Sequence, residues 1–278
     1  MGKLHRRGRV IYGASLAAAI VGLGIGQALL QTRAVADNGE VQAPRFEVDP
    51  FWPKPLPNRW LLGAVIGVWA DEQDHVWIIH RSSATLHNNE KGAELNPPIA
   101  ECCRGAPPVL VFDPAGNLVR SWGGPGEGYE WPQSNHGIHV DHKGNVWIGG
   151  NGEKDAHALK FTKDGKFVKE AFYAKNTLAS GSVWDIAFSR DPEQRYILMA
   201  DGQNSKVRVV QRDTLEELTS FGDGGRQPGQ FYGVHSVATD SKGNLYTTDT
   251  YEGKRVQKFV AKGVGGVPRS QGVLWPRT

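Results

Sequence analysis

The stretch from Asn135 to Gly150, NHGIHVDHKGNVWIGG, returns about a hundred residues later as VHSVATDSKGNLYTTD, Val234 to Asp249. Each copy has a histidine near one end and D-x-K-G-N in the middle. An alternating apolar run (Ile138, Val140; Val237, Thr239) meets the turn, and a second run follows (Val146 to Ile148; Leu245 to Thr247). Asn and Gly tolerate the left-handed backbone, and alternation of period two marks a half-buried strand, so each copy reads as a β-hairpin. Weaker copies are IGVWADEQDHVWIIHR, Ile66 to Arg81, and WDIAFSRDPEQRYILMAD, Trp184 to Asp201. Four copies of one hairpin imply a repeat architecture.

Further strands extend each copy. PVLVFDPAGNLVRSWG, Pro108 to Gly123, completes a first unit of four strands. ALKFTKDGKFVKEAF closes a second, His136 to Phe172, and VRVVQRDTLEELTSFG closes a third, Val183 to Gly222. The fourth begins at Phe231 and closes with RVQKFV, Arg255 to Val260, after which VLWP, Val273 to Pro276, is available as an outer edge strand. Gly137, Asp185 and Ser236 stand about fifty residues apart, a spacing suited to one four-stranded propeller blade. The longer first step contains the polar insertion Ser82 to Pro108, read as an irregular loop. The expectation is an all-β propeller of about four four-stranded blades, closed or C-shaped, over residues 60–278. A sandwich or solenoid is the alternative. An open ring would expose apolar blade faces and favour self-association.

A content of 39% hydrophobic residues with 35 Gly in 278 fits a turn-rich all-β chain. Residues 1–36 carry five basic groups and no acid, so their removal takes the formal charge from +3 to −2. What remains has no basic footprint for nucleic acid. This segment has a basic head, an apolar run Val10 to Leu30, and Ala34-Val35-Ala36 as a small-x-small cleavage site. It reads as an export signal, with an uncleaved membrane anchor as the alternative. Either way the globular part belongs in the periplasm or outside the cell. Residues 37–59 are Pro-rich and read as an extended lead-in. The neighbours Cys102 and Cys103 suit a disulfide in an oxidising compartment.

His136 and His235 start the innermost strands of their units, which places both at one mouth of a ring, and two converging imidazoles can bind zinc. The structural alternative is that each bonds a neighbouring blade. His139 and His142 read as exposed. Asp141 and Asp240 read as turn-fixing residues, and Trp122, Trp131, Trp147 and Trp184 as core, with the lining of a pocket as the alternative.

The blade motifs resemble NHL-type repeats. The order HVWIIHR, PPVLVFDPAGNLVRSWGG, HGIHVDHKGNVW resembles the lyase that acts on peptidyl-α-hydroxyglycine in peptide amidation, and its secreted bacterial relatives. The resemblance covers most of residues 60–262. It implies a six-bladed propeller in which three blade-entry histidines hold zinc; His136 and His235 match two of them. It also implies a substrate-binding arginine, matched by Arg81, and release of peptide amide and glyoxylate by C–N cleavage. The chain departs from that pattern between LKFTKDGKFVKEAF and GSVWDIAF, where relatives carry two more blades. Those would bring the third zinc histidine, the catalytic tyrosine and a second arginine; Gln203 stands near the tyrosine's place. Ser236 occupies the position of an aspartate near a structural calcium, which leaves calcium doubtful. Two functions follow from different classes. One is a zinc lyase built on His136, His235 and Arg81. The other is a non-catalytic module that offers the mouth and the Ser82 to Pro108 loop to a peptide, small molecule or protein.

Overall fold

The computed structural model describes residues 45, 47, 49–177 and 179–274. The expected export segment and much of the lead-in lie outside them. The chain divides after Pro50, and the unit Phe51–Thr278 holds every strand named below. Among the described residues no helix is long and apolar enough to cross a membrane.

In chain order the strands are β1 (Trp60–Leu61), β2 (Val65–Ala70), β3 (Val76–His80), β4 (Arg104–Gly105), β5 (Val109–Phe112), β6 (Leu118–Trp122), β7 (Asn135–Val140), β8 (Val146–Gly150) and β9 (His157–Phe161). There follow β10 (Phe167–Phe172), β11 (Asp185–Phe188), β12 (Tyr196–Asp201), β13 (Lys206–Gln211), β14 (Glu217–Phe221), β15 (Val234–Thr239), β16 (Leu245–Asp249) and β17 (Arg255–Phe259). They form the antiparallel blades β2-β3-β5-β6, β7-β8-β9-β10, β11-β12-β13-β14 and β15-β16-β17, beside a short parallel pair of β1 and β4. This is an all-β, four-blade propeller arrangement.

The Asp that opens each repeat's turn explains why the hairpins form. Asp141 Oδ1 accepts the backbone N–H groups of Lys143 and Asn145, both at 2.9 Å, and its Oδ2 accepts Trp147 Nε1 at 3.0 Å. Asp240 does the same for Lys242, Asn244 and the Tyr246 hydroxyl, and Asp71 for Gln73, His75 and Trp77. One carboxylate thus orders the turn and anchors the aromatic six residues on, whose polar atom would otherwise be buried without a partner. The fourth turn residue is left-handed, Gly144 at φ 74° and Gly243 at φ 79°. In the weaker copies Asp74 (φ 59°) and Gln194 (φ 46°) take that conformation without the glycine that suits it.

Apolar side chains then stack blade on blade. Trp77, Ile79, Val109 and Val111 of blade 1 meet Ile138, Val146, Ile148, Leu159 and Phe161 of blade 2. Trp147 and Ala158 meet Ile186, Ile197, Met199 and Val210 of blade 3, and Ala200, Val207 and Phe221 meet Val234, Val237 and Leu245 of blade 4. Among the described residues no apolar cluster joins blade 4 to blade 1. The lead-in covers blade 1's other face instead: Trp52, Leu56 and Trp60 pack on Ile78, Leu110 and Phe112.

Two expectations need correction. The fourth blade has three strands, not four, among the described residues. Among the described residues, which end at Leu274 and so leave half of the expected Val273 to Pro276 strand outside them, the chain after β17 runs parallel to the outer edge of β14 in blade 3. Ser220 N donates to Arg269 O (3.1 Å), Gln271 N to Ser220 O (2.8 Å) and Gly222 N to Gly272 O (3.1 Å). The segment satisfies backbone groups that the edge of β14 would otherwise leave to solvent. The insertion after β3 is also more ordered than an irregular loop: it opens with a 3₁₀ turn, Ser82–Thr85, and Glu94 Oε2 binds both Ser83 Oγ (2.6 Å) and Gly105 N (3.0 Å).

Candidate functional site

Because β2, β7, β11 and β15 are the first strands of their blades and run the same way, their starts share one end of the unit. Arg81 reaches that end too, since β3 runs antiparallel to β2 and Arg81 N donates to Ala64 O at 3.0 Å. His136 and His235 converge there, with ring centroids 5.0 Å apart and planes crossed at 77°. Arg81, the third residue expected at this site, lies close enough to affect the basicity of His136.

The hydrogen bonds set the state of each group. His136 Nδ1 lies 3.0 Å from the Trp184 carbonyl. A carbonyl only accepts, so the proton is on Nδ1 and the Nε2 lone pair is left bare. Burial pushes the His136 pKa below its ordinary value, and the neighbouring His235 and Arg81 push it the same way against the Trp184 carbonyl. His136 is therefore a neutral imidazole at pH 7. His235 Nδ1 sits 3.2 Å from Ser236 Oγ. Arg81 Nη2 donates to Asn151 Oδ1 (3.1 Å), which also accepts Ser134 Oγ (2.9 Å). A neutral amide holds the guanidinium without cancelling its charge. Its Nε is buried with no partner.

Sequence reasoning missed Tyr251 and Asp185 here, and it read Trp184 as core, which its burial bears out. Trp184 seats its indole over Gly202, where an added Cβ would come within 2.2 Å of the ring. It faces His235 at 5.8 Å and Tyr251 at 6.4 Å. Tyr251 is exposed and left-handed at φ 49°, at the same end of the unit. Asp185 is the tie beneath: Oδ1 accepts His139 Nε2 and Ile186 N, both at 2.9 Å, and Oδ2 accepts Val237 N at 3.0 Å. A single carboxylate of blade 3 thereby joins blades 2 and 4. Its alignment with Gly137 and Ser236 was the available signal, but neither of those carries an acid. His139, expected to be exposed, is half-buried in this tie, while His142 is exposed as read.

The zinc implied by the resemblance can be tested against these donors. The bare Nε2 of His136, with Nδ1 held by a carbonyl, is the arrangement a metal-binding imidazole needs. A catalytic zinc requires three protein ligands, and among the described residues no group of three His, Cys, Asp or Glu side chains converges. Asp185 is already taken by three N–H donors, and Ser236 Oγ by His235. The residues present supply two ligands and do not fit that centre. Gln203, near the expected tyrosine position, is exposed and accepts only Ser180 N at 3.4 Å.

Residues 231–259, the hairpin of blade 4 and its third strand, match the NHL repeat. Among solved structures, the chain is similar to a catalytically inactive virginiamycin B lyase from Staphylococcus aureus determined with quinupristin, at 13% identity and a TM-score of 0.44 over 74% of this chain and 58% of that one. A streptogramin B lyase gives 13% identity and 0.44 over 72% and 56%. Hydrazine synthase from Kuenenia stuttgartiensis gives 13% and 0.44 over 79% and 49%. The chain thus spans under two thirds of the length of each. Likeness at this level says nothing of activity.

Proposed function

We propose that this chain is an exported NHL-type propeller that binds a small carboxylate-bearing molecule or a peptide end at the mouth formed by His136, His235 and Arg81, without turning it over. The observation that carries the reading is the convergence of two imidazoles, with centroids 5.0 Å apart, beside an arginine held by an amide and, among the described residues, paired with no carboxylate. Neutral His136 and the neighbouring His235 ring supply directional hydrogen bonding, and Arg81 supplies the charge that a carboxylate seeks. Exposed Tyr251, backed by the buried Trp184, adds an aromatic edge on the His235 side.

The lyase reading uses the same three residues, and the bare Nε2 of His136 is the observation in its favour. Its chemistry would need zinc to polarise the carbinol oxygen, and two imidazoles fall short of holding it. One experiment separates the readings. Purified protein is titrated calorimetrically with a peptide ending in α-hydroxyglycine, while glyoxylate and bound zinc are measured. Binding without glyoxylate, weakened about tenfold or more by Arg81→Gln, supports the binding module. Glyoxylate release that tracks near-stoichiometric zinc would replace it with the lyase. Export is tested by fusing residues 1–36 to a reporter that is active only outside the cytoplasm.

A further inference from the structure

A second concavity lies away from the mouth, between the lead-in and the insertion after β3. It has a volume of about 530 Å³ and is lined by Asn58, Arg59, Trp60, Glu101, Cys103 and Arg104, with Ala93 at its side. None of these residues belongs to the mouth. The parallel pairing of β1 with β4 sets Trp60 opposite Arg104 and so builds the floor.

The lining has a definite chemistry. Arg59 spends one donor, Nη1, on the Glu101 carbonyl at 3.3 Å. Among the described residues no carboxylate lies within ion-pair reach of either Arg59 or Arg104. The nearby Glu94 feels Arg104, but its Oε2 is occupied by Ser83 and Gly105. Two arginines and Glu101 leave the cleft one net positive charge, enough to neutralise a single negative charge. One side of Trp60 packs on the core cluster of blade 1, and its remaining surface, with Ala93 and the disulfide-bonded Cys103, gives an apolar wall.

The backbone adds an independent observation. Asn58 and Arg59 are both left-handed, each at φ 56°. Two successive non-glycine residues in that region are costly, and strain of this kind gathers at ligand clamps. The volume falls within the range of small-molecule sites.

We infer that this cleft binds a small monocarboxylate with an aromatic or apolar body, its carboxylate on Arg104 and Arg59 and its body on Trp60. The test uses the full chain, with benzoate and inorganic phosphate as probes, followed by calorimetry and by nitrogen–proton shift mapping of the tryptophan and arginine side chains. Benzoate should bind and move the Trp60 indole signal. Arg104→Gln and Arg59→Gln should each weaken it about tenfold or more. Arg104→Lys should restore part of the loss, and Arg120→Gln, on the far edge of blade 1, should leave binding unchanged. Arg59 is exposed with one backbone bond, so its variant reads binding even if Arg104→Gln unfolds. No benzoate binding, equal binding by the Gln variants, or phosphate binding as tight as benzoate would overturn the inference.

Discussion

Arg212, at the end of β13, places Nη1 3.4 Å from Asp141 Oδ2 across the junction of blades 2 and 3, and both side chains are buried. The same oxygen takes the Trp147 indole N–H. Burial alone would push the Asp141 carboxyl up, yet the bonds from Trp147 and Asn145 hold it below its ordinary value. One repeat residue therefore serves both its own hairpin and the neighbouring blade.

Replacing Asp141 with Ala removes the buried partner of the Arg212 cation, leaving it the exposed Asp213 carboxylate at 3.1 Å, and takes away the acceptor of the turn's N–H donors. The expected loss of unfolding free energy is about 2–4 kcal/mol, read by urea denaturation. Asp240→Ala, in an exposed turn with no buried cation, should cost less. Equal losses at the two positions would show that Arg212 contributes nothing.

Asp74 sits left-handed where two other repeats carry glycine. Asp74→Gly removes that strain and leaves the Asp71 carboxylate bonds in place. A gain of about 0.5–1 kcal/mol is expected, read as a rise in the urea midpoint. Gln194→Gly should gain less, because the Gln194 side chain also accepts from the His142 N–H (3.1 Å) on blade 2.

Stability should depend on pH in two separate windows. Hydrogen bonds from Asn244, helped by those from Lys242 and Tyr246 and opposed by desolvation, hold Asp240 at about 2 rather than 3.8. A depressed carboxyl contributes stability above its unfolded value, which is lost as pH falls from about 4 to about 2. Burial holds His80 and His136 below 6.5. Their neutral forms suit the fold, so stability also declines as pH falls through 6.5 and levels off below the folded values. The groups acting on His136 are His235, Arg81 and Asp185. Thermal melts between pH 8 and pH 2 should show both declines, and Asp240→Asn should flatten only the acidic one.

Asp185 joins three blades through His139, Ile186 and Val237. Asp185→Ala leaves the buried Val237 N–H and the half-buried His139 ring N–H of neighbouring blades unmatched, at a cost of about 2–3 kcal/mol. Asp185→Asn keeps one carbonyl acceptor and should recover part of that. Calorimetric melting of both variants decides the matter, and an unchanged Asp185→Ala would show that the tie contributes nothing to stability.

Where chemistry was local, it was legible. The run Asp141 to Trp147 contains the acid, the left-handed Gly and the indole that acid holds, so hairpin and turn could be read together. The strand starts brought His136 and His235 to one end for the same reason. Non-local pairings left no such trace: nothing in residues 268–272 marks them for β14 rather than blade 4, and nothing in Asp185 announces two foreign blades. The cleft was equally hidden. Its lining comes from a Pro-rich lead-in and an insertion whose only local signal was its turn-forming residues.

Among the described residues the apolar clusters link each blade only to its neighbours, 1 to 2, 2 to 3 and 3 to 4, with the lead-in as cap at one end. Such a stack behaves as a linear array, whose stability is a sum of unit and nearest-neighbour energies. Opening blade 4 breaks one junction, whereas opening blade 2 or 3 breaks two. Amide exchange should therefore be graded along the chain, slowest in β8 and β12 and fastest in β16 and β17, so that the blade carrying His235 is the one whose local opening sets how firmly the mouth is held.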